Sequence, residues 1–144
     1  MSDHECYACK YGAGAATIHE MELVEKYGWF SHFVAGDKRY PFGINVHTHE
    51  LKRKFEHDDL QIILPVPDET LNSLLWTVVE RIEKGEKFEP GMIVSKVVKN
   101  YNITFAYATE NGRLVLRLIL PDKDCNLKEE DMDPKYALQW RGTL

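Results

Sequence analysis

The segment from Leu60 to Gly85 constrains the fold most, because it joins the most apolar strand candidate to the strongest helix candidate. Leu60 to Val66 is almost continuously apolar, which is typical of a strand that is covered on both faces in the middle of a sheet. Pro65 has no backbone N–H for a ladder, so the strand is predicted to end near Leu64. A strand candidate followed at once by a helix candidate favours a fold that contains both.

The helix candidate starts at Pro67-Asp68, with Asp68 as the predicted N-cap, and ends at Gly85. Its apolar positions recur at helical spacing and form one wide face: Leu71, Leu74, Leu75, Val78, Val79 and Ile82. A helix with one apolar face needs a sheet or another helix to cover it.

The rest of the chain alternates one further helix with strands. The helix is predicted over Thr17 to Tyr27, with Thr17 as its cap and Gly28 at its end. The further strands are predicted at Trp29–Val34, Phe42–His49, Met92–Val98, Ile103–Thr109 and Arg113–Leu120, with residues 50–59 as a loop or a single helical turn. Asn111-Gly112 between the last two strands is a strong hairpin signal, because both positions accept a positive φ. The pattern predicts an α+β fold of two layers, a mostly antiparallel sheet with helices packed on one face.

The length of 144 residues fits a single domain, residues 1–144, with one core. Residues 1–16 are predicted to form an N-terminal arm that carries a cysteine pair, and residues 121–144 a C-terminal tail packed on the domain. The net charge is −5. Binding to nucleic acid is not expected, because neutralising phosphates requires clustered Lys and Arg.

The beginning of the chain is polar and has neither a basic segment nor an apolar segment, so no secretory signal is expected. The longest apolar runs, Ile62–Leu64 and Leu118–Leu120, are far too short to cross a bilayer. We therefore expect a cytoplasmic protein without membrane association. In that compartment the three cysteines are expected to stay reduced.

Cys6 and Cys9 are the first candidate site, because a Cys-x-x-Cys turn lets two thiolates contact one zinc ion. A structural zinc site usually needs a second such pair, and Cys125 is the one further cysteine. A redox pair is a second interpretation, although such a motif normally follows a strand and begins a helix. The third is two reduced thiols in an arm.

His47 and His49 are the second candidate metal site. At positions i and i+2 of a strand, two imidazoles lie on one face with their Cα atoms about 7 Å apart. A metal ion between them would take a nearby carboxylate such as Glu50 or Asp59. The alternative is a polar outward face of a half-exposed strand, which Asn45 would continue.

Two further histidines have weaker signals. His57 precedes Asp58 and Asp59, and a carboxylate could orient its imidazole for acid–base work. It is a third catalytic candidate beside His47 and His49, with a loop histidine that caps a turn as the alternative. His32 lies between Phe30 and Phe33, which indicates a hydrogen-bonded core or edge histidine.

The chain also resembles an uncharacterised bacterial family, catalogued as domain of unknown function 4262. The similarity lies in the cysteine pair, in Gly28-Trp29 at a strand entry, in Glu56–Leu60 before the central strand, and in Gly85–Gly91 after the long helix. The strand Phe42–Thr48 departs most from the pattern. The resemblance implies a soluble bacterial domain and supplies no activity.

Two functions are consistent with these observations. The first is a small binding or interaction domain without catalysis, because no complete catalytic motif is present. A homodimer is a possible assembly of such a domain. The second is a metal-dependent enzyme of the hydrolase type that uses a histidine cluster on one sheet face, with zinc as the possible metal. The second requires that the imidazoles and one carboxylate converge on a common point.

Overall fold

The computed structural model describes the backbone of residues 13–144 and the side chains of residues 18–144. The predicted site at Cys6 and Cys9 lies outside the described residues. The helices are α1 (Ala13–Tyr27), α2 (Leu51–Phe55), α3 (Asp68–Glu83) and α4 (Pro134–Ala137), and short 3₁₀ turns cover Glu129–Asp131 and Leu138–Trp140. The strands are β1 (Phe30–Ala35), β2 (Ile44–His49), β3 (Asp59–Ile62), β4 (Val94–Val98), β5 (Tyr101–Glu110) and β6 (Arg113–Ile119).

The six strands form one sheet in the order β1-β2-β3-β6-β5-β4. The pair β3–β6 is parallel, and the other four neighbouring pairs are antiparallel. The predicted α+β fold with a mostly antiparallel sheet is confirmed. The predicted central position of the Leu60 strand is confirmed as well, because β3 lies between β2 and β6.

The long helix α3 buries its apolar face against one face of the sheet. Its six buried residues are the six that the sequence pattern predicts, and they pack on sheet residues such as Leu60, Ile62 and Phe105. The predicted N-cap is wrong by one residue: Pro67 occupies the cap with an extended backbone, and Leu71 N donates to Pro67 O. Because the carbonyl of Pro67 already accepts the first helical hydrogen bond, Asp68 falls inside the helix.

Helix α1 begins at Ala13, four residues before the predicted cap at Thr17. The added residues include three alanines, and alanine is the best helix former, so the helix extends towards the N-terminus. Its predicted end is confirmed. Gly28 has a φ of 84° and its N–H donates to Val24 O, which closes the last turn.

The second face of the sheet is partly covered by the C-terminal tail. Ala106 and Ile119 point to this face, because they alternate with Phe105 and Leu118 of the α3 side. Met132 packs on them, together with the tail residues Tyr136, Ala137 and Trp140. On the same face, the strands from β3 to β1 carry polar residues instead.

The predicted hairpin between β5 and β6 is confirmed. Glu110 pairs with Arg113, and the two residues between them have positive φ values, 49° at Asn111 and 81° at Gly112. This tight turn projects the hairpin tip beyond the short strand β3 towards β2. Within the described residues, no helix combines the length and the apolar character that crossing a membrane requires.

Replacing Leu75 with alanine tests the core under α3. Leu75 is 1% exposed, so the variant is expected to lower the free energy of unfolding by about 2–5 kcal/mol through lost burial and the remaining cavity. Urea denaturation measures the change. Ser73→Ala on the exposed side of the same helix is the control, with an expected change within about 0.5 kcal/mol. Equal effects of the two substitutions would contradict this packing.

Candidate metal centre

A row of polar side chains crosses four neighbouring strands on the face opposite α3. The strand register places His32 opposite His47, His47 opposite Gln61, and Gln61 opposite Arg117. All four therefore point to the same side of the sheet, because directly paired residues share a face. A row of this kind is visible only once the strand order is known.

His49 lies two residues after His47 and joins the row at its β1–β2 end. The ring centroids of His47 and His49 are 4.8 Å apart, those of His32 and His47 are 5.4 Å apart, and Phe30 stacks on His49 at 4.8 Å. One ring nitrogen from each of His32, His47 and His49 lies within 4.8 Å of those of the other two. This histidine group could hold a metal ion. The nitrogens of a tetrahedral zinc site lie roughly 3.4 Å apart, which is within the 4.8 Å limit that the three ring nitrogens meet here.

The histidine group lines a cavity of about 510 Å³. Helix α1 contributes Glu20 to the wall, β1 contributes Phe30, and the loop after β1 contributes Arg39. Glu110 and Asn111 from the hairpin tip also line the cavity. The histidine group therefore lies at the wall of an open cavity to which α1, β1, β2 and the β5–β6 hairpin contribute.

The β5–β6 hairpin brings a carboxylate to the histidines. Arg113 Nη2 donates to Thr48 O at 2.8 Å, which ties the hairpin tip to β2. Arg113 Nε donates to Glu110 Oε1 at 2.9 Å, and the same oxygen lies 3.7 Å from His47 Nε2. Glu110 and His47 are both 3% exposed in their side chains. The carboxylate beside the histidines is thus Glu110.

Burial keeps two of the histidines neutral. Desolvation lowers the pKa of His47 from 6.5 to about 3, and the neighbouring charges of His49 and Arg113 add to this while Glu110 opposes it. Desolvation also lowers the pKa of His49 to about 4, with Arg113 and His32 acting in the same direction. Neutral imidazoles carry the lone pairs that a metal needs.

Glu110 is held in its ionised form. Burial raises its pKa, but the hydrogen bond and the positive charge of Arg113 outweigh burial and hold the pKa below its usual range. Glu110 is therefore a buried anion beside neutral imidazoles, with Arg113 as its ion-pair partner.

His57 is not brought to the histidine group. It is 3% exposed. Its Nδ1 lies 2.8 Å from Asp58 O, and its Nε2 accepts a hydrogen bond from Phe88 N at 3.0 Å. Both ring nitrogens are therefore occupied by backbone groups, and the ring holds the loop after α3 against the core. The expectation that His57 converges with His47 and His49 is wrong for this reason.

The carboxylates that the sequence suggested as neighbours also lie elsewhere. Asp59 accepts hydrogen bonds from Thr48 Oγ1, from Leu51 N and from Arg113 Nη1, so it joins β2, β3 and β6. Glu50 accepts from Arg53 Nε on the surface. Glu110 takes their place, although it lies 61 residues beyond His49 in the chain.

Sequence reasoning missed His32 and Glu110. The strand position of His32 was readable, but its pairing with His47 depends on the β1–β2 register. A histidine in the middle of one predicted strand, His32, beside a strand with alternating Asn45, His47 and His49, was a usable signal. For Glu110, the hairpin signal at Asn111-Gly112 was present, but nothing local indicated that its tip reaches β2.

The chain belongs to the family described as domain of unknown function DUF4262, whose model matches residues 23–114. That range contains the three histidines of the group and Glu110. The resemblance noted from the sequence is thereby confirmed. Comparison with curated proteins found no match, and comparison with solved structures found none either.

The buried histidines predict an acid-sensitive fold in the metal-free protein. Because folding lowers the pKa of His47 and His49 below 6.5, their contribution to stability is complete above about pH 6.5 and is lost as the pH falls towards 4 and 3. The free energy of unfolding, measured with urea between pH 7 and pH 4, is therefore expected to fall. A His47→Gln/His49→Gln variant should show a shallower fall, and equal slopes for both proteins would contradict the assignment.

Proposed function

We propose that His32, His47 and His49 bind one zinc ion and that the chain is a zinc-dependent hydrolase for a small polar substrate. The observation that carries the proposal is the convergence of three ring nitrogens within 4.8 Å at the wall of a cavity. Imidazole nitrogen suits zinc well among the divalent metals. Zinc is therefore the first metal to offer, and nickel and cobalt are the next.

The environment of His47 Nε2 supports a cation at this place. Nδ1 of His47 lies 3.1 Å from Asn45 Oδ1, and an amide oxygen only accepts, so Nδ1 carries the proton. The lone pair of Nε2 then lies 3.7 Å from an oxygen of the ionised Glu110. A lone pair and a carboxylate repel each other in a buried site unless a positive charge lies close to both. Arg113 supplies part of that charge through its hydrogen bond to Glu110, and a metal ion on Nε2 would add to it.

The number of protein ligands favours catalysis over a purely structural role. Structural zinc sites usually have four protein ligands, whereas catalytic sites keep three and leave the fourth position to water or substrate. Among the described residues, three histidines lie together beside an open cavity, and they fit the second arrangement. Glu110 approaches His47 without joining the group of three, which suits a base beside a zinc-bound water.

The residues present suffice for a hydrolytic step. A zinc ion held by His32, His47 and His49 would make a water molecule in the cavity more acidic and so a better nucleophile towards a substrate carbonyl. Glu110 would accept the proton of that water and would return it to the leaving group when the bond to the carbonyl carbon breaks. Arg113 holds Glu110 in position through its Nε and keeps the carboxylate ionised between turnovers.

The dimensions of the cavity indicate the size of the substrate. Ligand cavities for small molecules measure about 300–1,000 Å³, and this one measures about 510 Å³. Phe30 and Val34 give it an apolar side, and Arg39, Asn45 and Asn111 give it a polar side. A small molecule with one polar end fits this distribution better than a polymer does.

Metal content tests the binding part of the proposal. Elemental mass spectrometry of zinc-loaded, dialysed protein is expected to find about one equivalent of zinc, and single His32→Gln, His47→Gln and His49→Gln variants are expected to lose most of it. Removing one of three imidazoles leaves too few ligands for a stable centre.

Two control variants make that measurement specific. His19→Gln removes an imidazole outside the group, and Cys6→Ser/Cys9→Ser removes the other candidate ligands. Both are expected to keep the zinc of the wild type. Loss of zinc with the cysteines and not with the histidines would contradict the proposed centre.

Glu110→Gln separates catalysis from binding. The variant keeps the shape of the side chain but cannot accept the proton, so zinc content should be unchanged while hydrolysis of a small activated ester falls about 10²–10⁴-fold. The ester assay on zinc-loaded wild type, variant and metal-free protein measures this. Wild-type turnover that persists after removal of zinc would contradict a metal-dependent hydrolase.

Binding without catalysis is the second candidate function, and one observation favours it. Ile18 and Met21 on α1 are 60% and 66% exposed, and Met21 lines a groove with Val24, Phe30 and three glutamates, Glu20, Glu25 and Glu50. The predicted homodimer would cover such a surface. Sedimentation of wild type and Met21→Glu at several concentrations measures it: a dimer that the substitution dissociates supports this function, and a monomeric wild type contradicts it.

A further inference from the structure

The ring of His47 stands at the end of a chain of buried hydrogen bonds. Arg117 Nε donates to Gln61 Oε1 at 2.8 Å, and Gln61 Nε2 donates to Asn45 Oδ1 at 2.9 Å. The same Asn45 oxygen lies 3.1 Å from His47 Nδ1. All four residues are at most 2% exposed, so water does not compete for these contacts.

We propose that Arg117, acting through Gln61 and Asn45, fixes the tautomer of His47 and thereby presents Nε2 to the metal. Arg117, Gln61 and Asn45 are positioning residues in this proposal. The role of this tautomer in metal binding rests on the proposed function. The tautomer itself is a property of the metal-free protein and can be measured without zinc.

In this series of hydrogen bonds, the orientation of each side chain determines that of the next one. A guanidinium only donates, so the Gln61 oxygen must face Arg117. The Gln61 nitrogen then faces away from Arg117, and its hydrogens go to Asn45 Oδ1 and to Tyr40 Oη at 3.2 Å. Because a nitrogen donor faces Asn45, the Asn45 oxygen must point to it, and the same oxygen meets His47. His47 then has to supply the proton from Nδ1.

Asn45 shows independently that its orientation is imposed by its neighbours. Among the described residues, its Nδ2 is a buried side-chain atom without a hydrogen-bond partner. Its oxygen meanwhile lies within hydrogen-bond distance of two nitrogens, Gln61 Nε2 at 2.9 Å and His47 Nδ1 at 3.1 Å. An amide that could turn freely would not bury its donor unpaired, because buried unpaired donors are costly.

Arg117 is well suited to start the chain because its charge state does not change near neutral pH. Burial lowers its pKa to about 10, which still leaves the guanidinium protonated. Its Nη1 donates to the backbone oxygens of Gln139 and Arg141 in the tail. These contacts hold the group in place from the side opposite Gln61.

The substitution Gln61→Glu keeps the shape of the side chain at position 61 but reverses donor and acceptor in the hydrogen bonds of Asn45. The introduced carboxylate would pair with Arg117 and present a second acceptor to Asn45, so the Asn45 amide turns and offers its nitrogen to both neighbours. Nδ1 of His47 then has to accept, and its proton moves to Nε2. Long-range ¹H–¹⁵N spectra of metal-free protein distinguish protonated from unprotonated ring nitrogens and report this exchange directly.

Asn45→Asp is the matched variant that should leave the tautomer unchanged. A carboxylate at position 45 still accepts from Gln61 and from His47 Nδ1, as in the carboxylate–histidine–zinc arrangement. Zinc affinity, measured by competition with a chromogenic chelator, is expected to fall about 10- to 100-fold in Gln61→Glu and not to fall in Asn45→Asp.

The outcomes separate this inference from the proposed function. A wild type with its proton on Nε2 of His47 overturns the inference, and so does a folded Gln61→Glu variant that keeps the proton on Nδ1. If Gln61→Glu does not fold, the wild-type and Asn45→Asp spectra decide alone, since both must show a protonated Nδ1. A protonated Nδ1 in a wild type that binds no zinc would support the inference and contradict the proposed function.

Discussion

The polar face of the sheet, opposite α3, depends on the hydrogen bonds of the buried Arg117 guanidinium. Arg117 lies in the row that crosses β1, β2, β3 and β6, and its Nε and Nη1 hydrogen-bond to oxygens of Gln61, Gln139 and Arg141. A buried cation is stable only where hydrogen bonds replace the water that it loses. Those bonds join the C-terminal tail to the sheet on one side and orient the polar row on the other.

One face of the sheet forms the apolar core, and the other carries the polar residues of the candidate site. The face towards α3 is apolar and contains most of the core, including Phe105, Leu116 and Leu118. The opposite face carries Asn45, His47, Gln61 and Arg117, which are all buried. Buried polar groups contribute little net stability but cost a great deal when one partner is removed. A domain of this size has no energetic need for such a row, which is why we connect it with a function.

The sequence was sufficient to predict most helices and strands and two of the four residues at the candidate metal centre. Periodicity placed α3 because its apolar spacing is strong, and the i and i+2 spacing of His47 and His49 identified two members of the histidine group from a single strand. The other half depended on long-range geometry. His32 enters through the β1–β2 register, and Glu110 enters because a hairpin tip reaches past the short strand β3. His57 was misjudged because its partner, Phe88 N, lies 31 residues away.

X-ray absorption at the zinc edge of the zinc-loaded full chain tests the central claim most directly, because it identifies the atoms around the metal. The histidine group predicts nitrogen and oxygen neighbours at about 2.0–2.1 Å, with the outer-shell signature of imidazole rings and without sulfur. A spectrum dominated by sulfur at about 2.3 Å would place the metal at Cys6 and Cys9 and contradict the account.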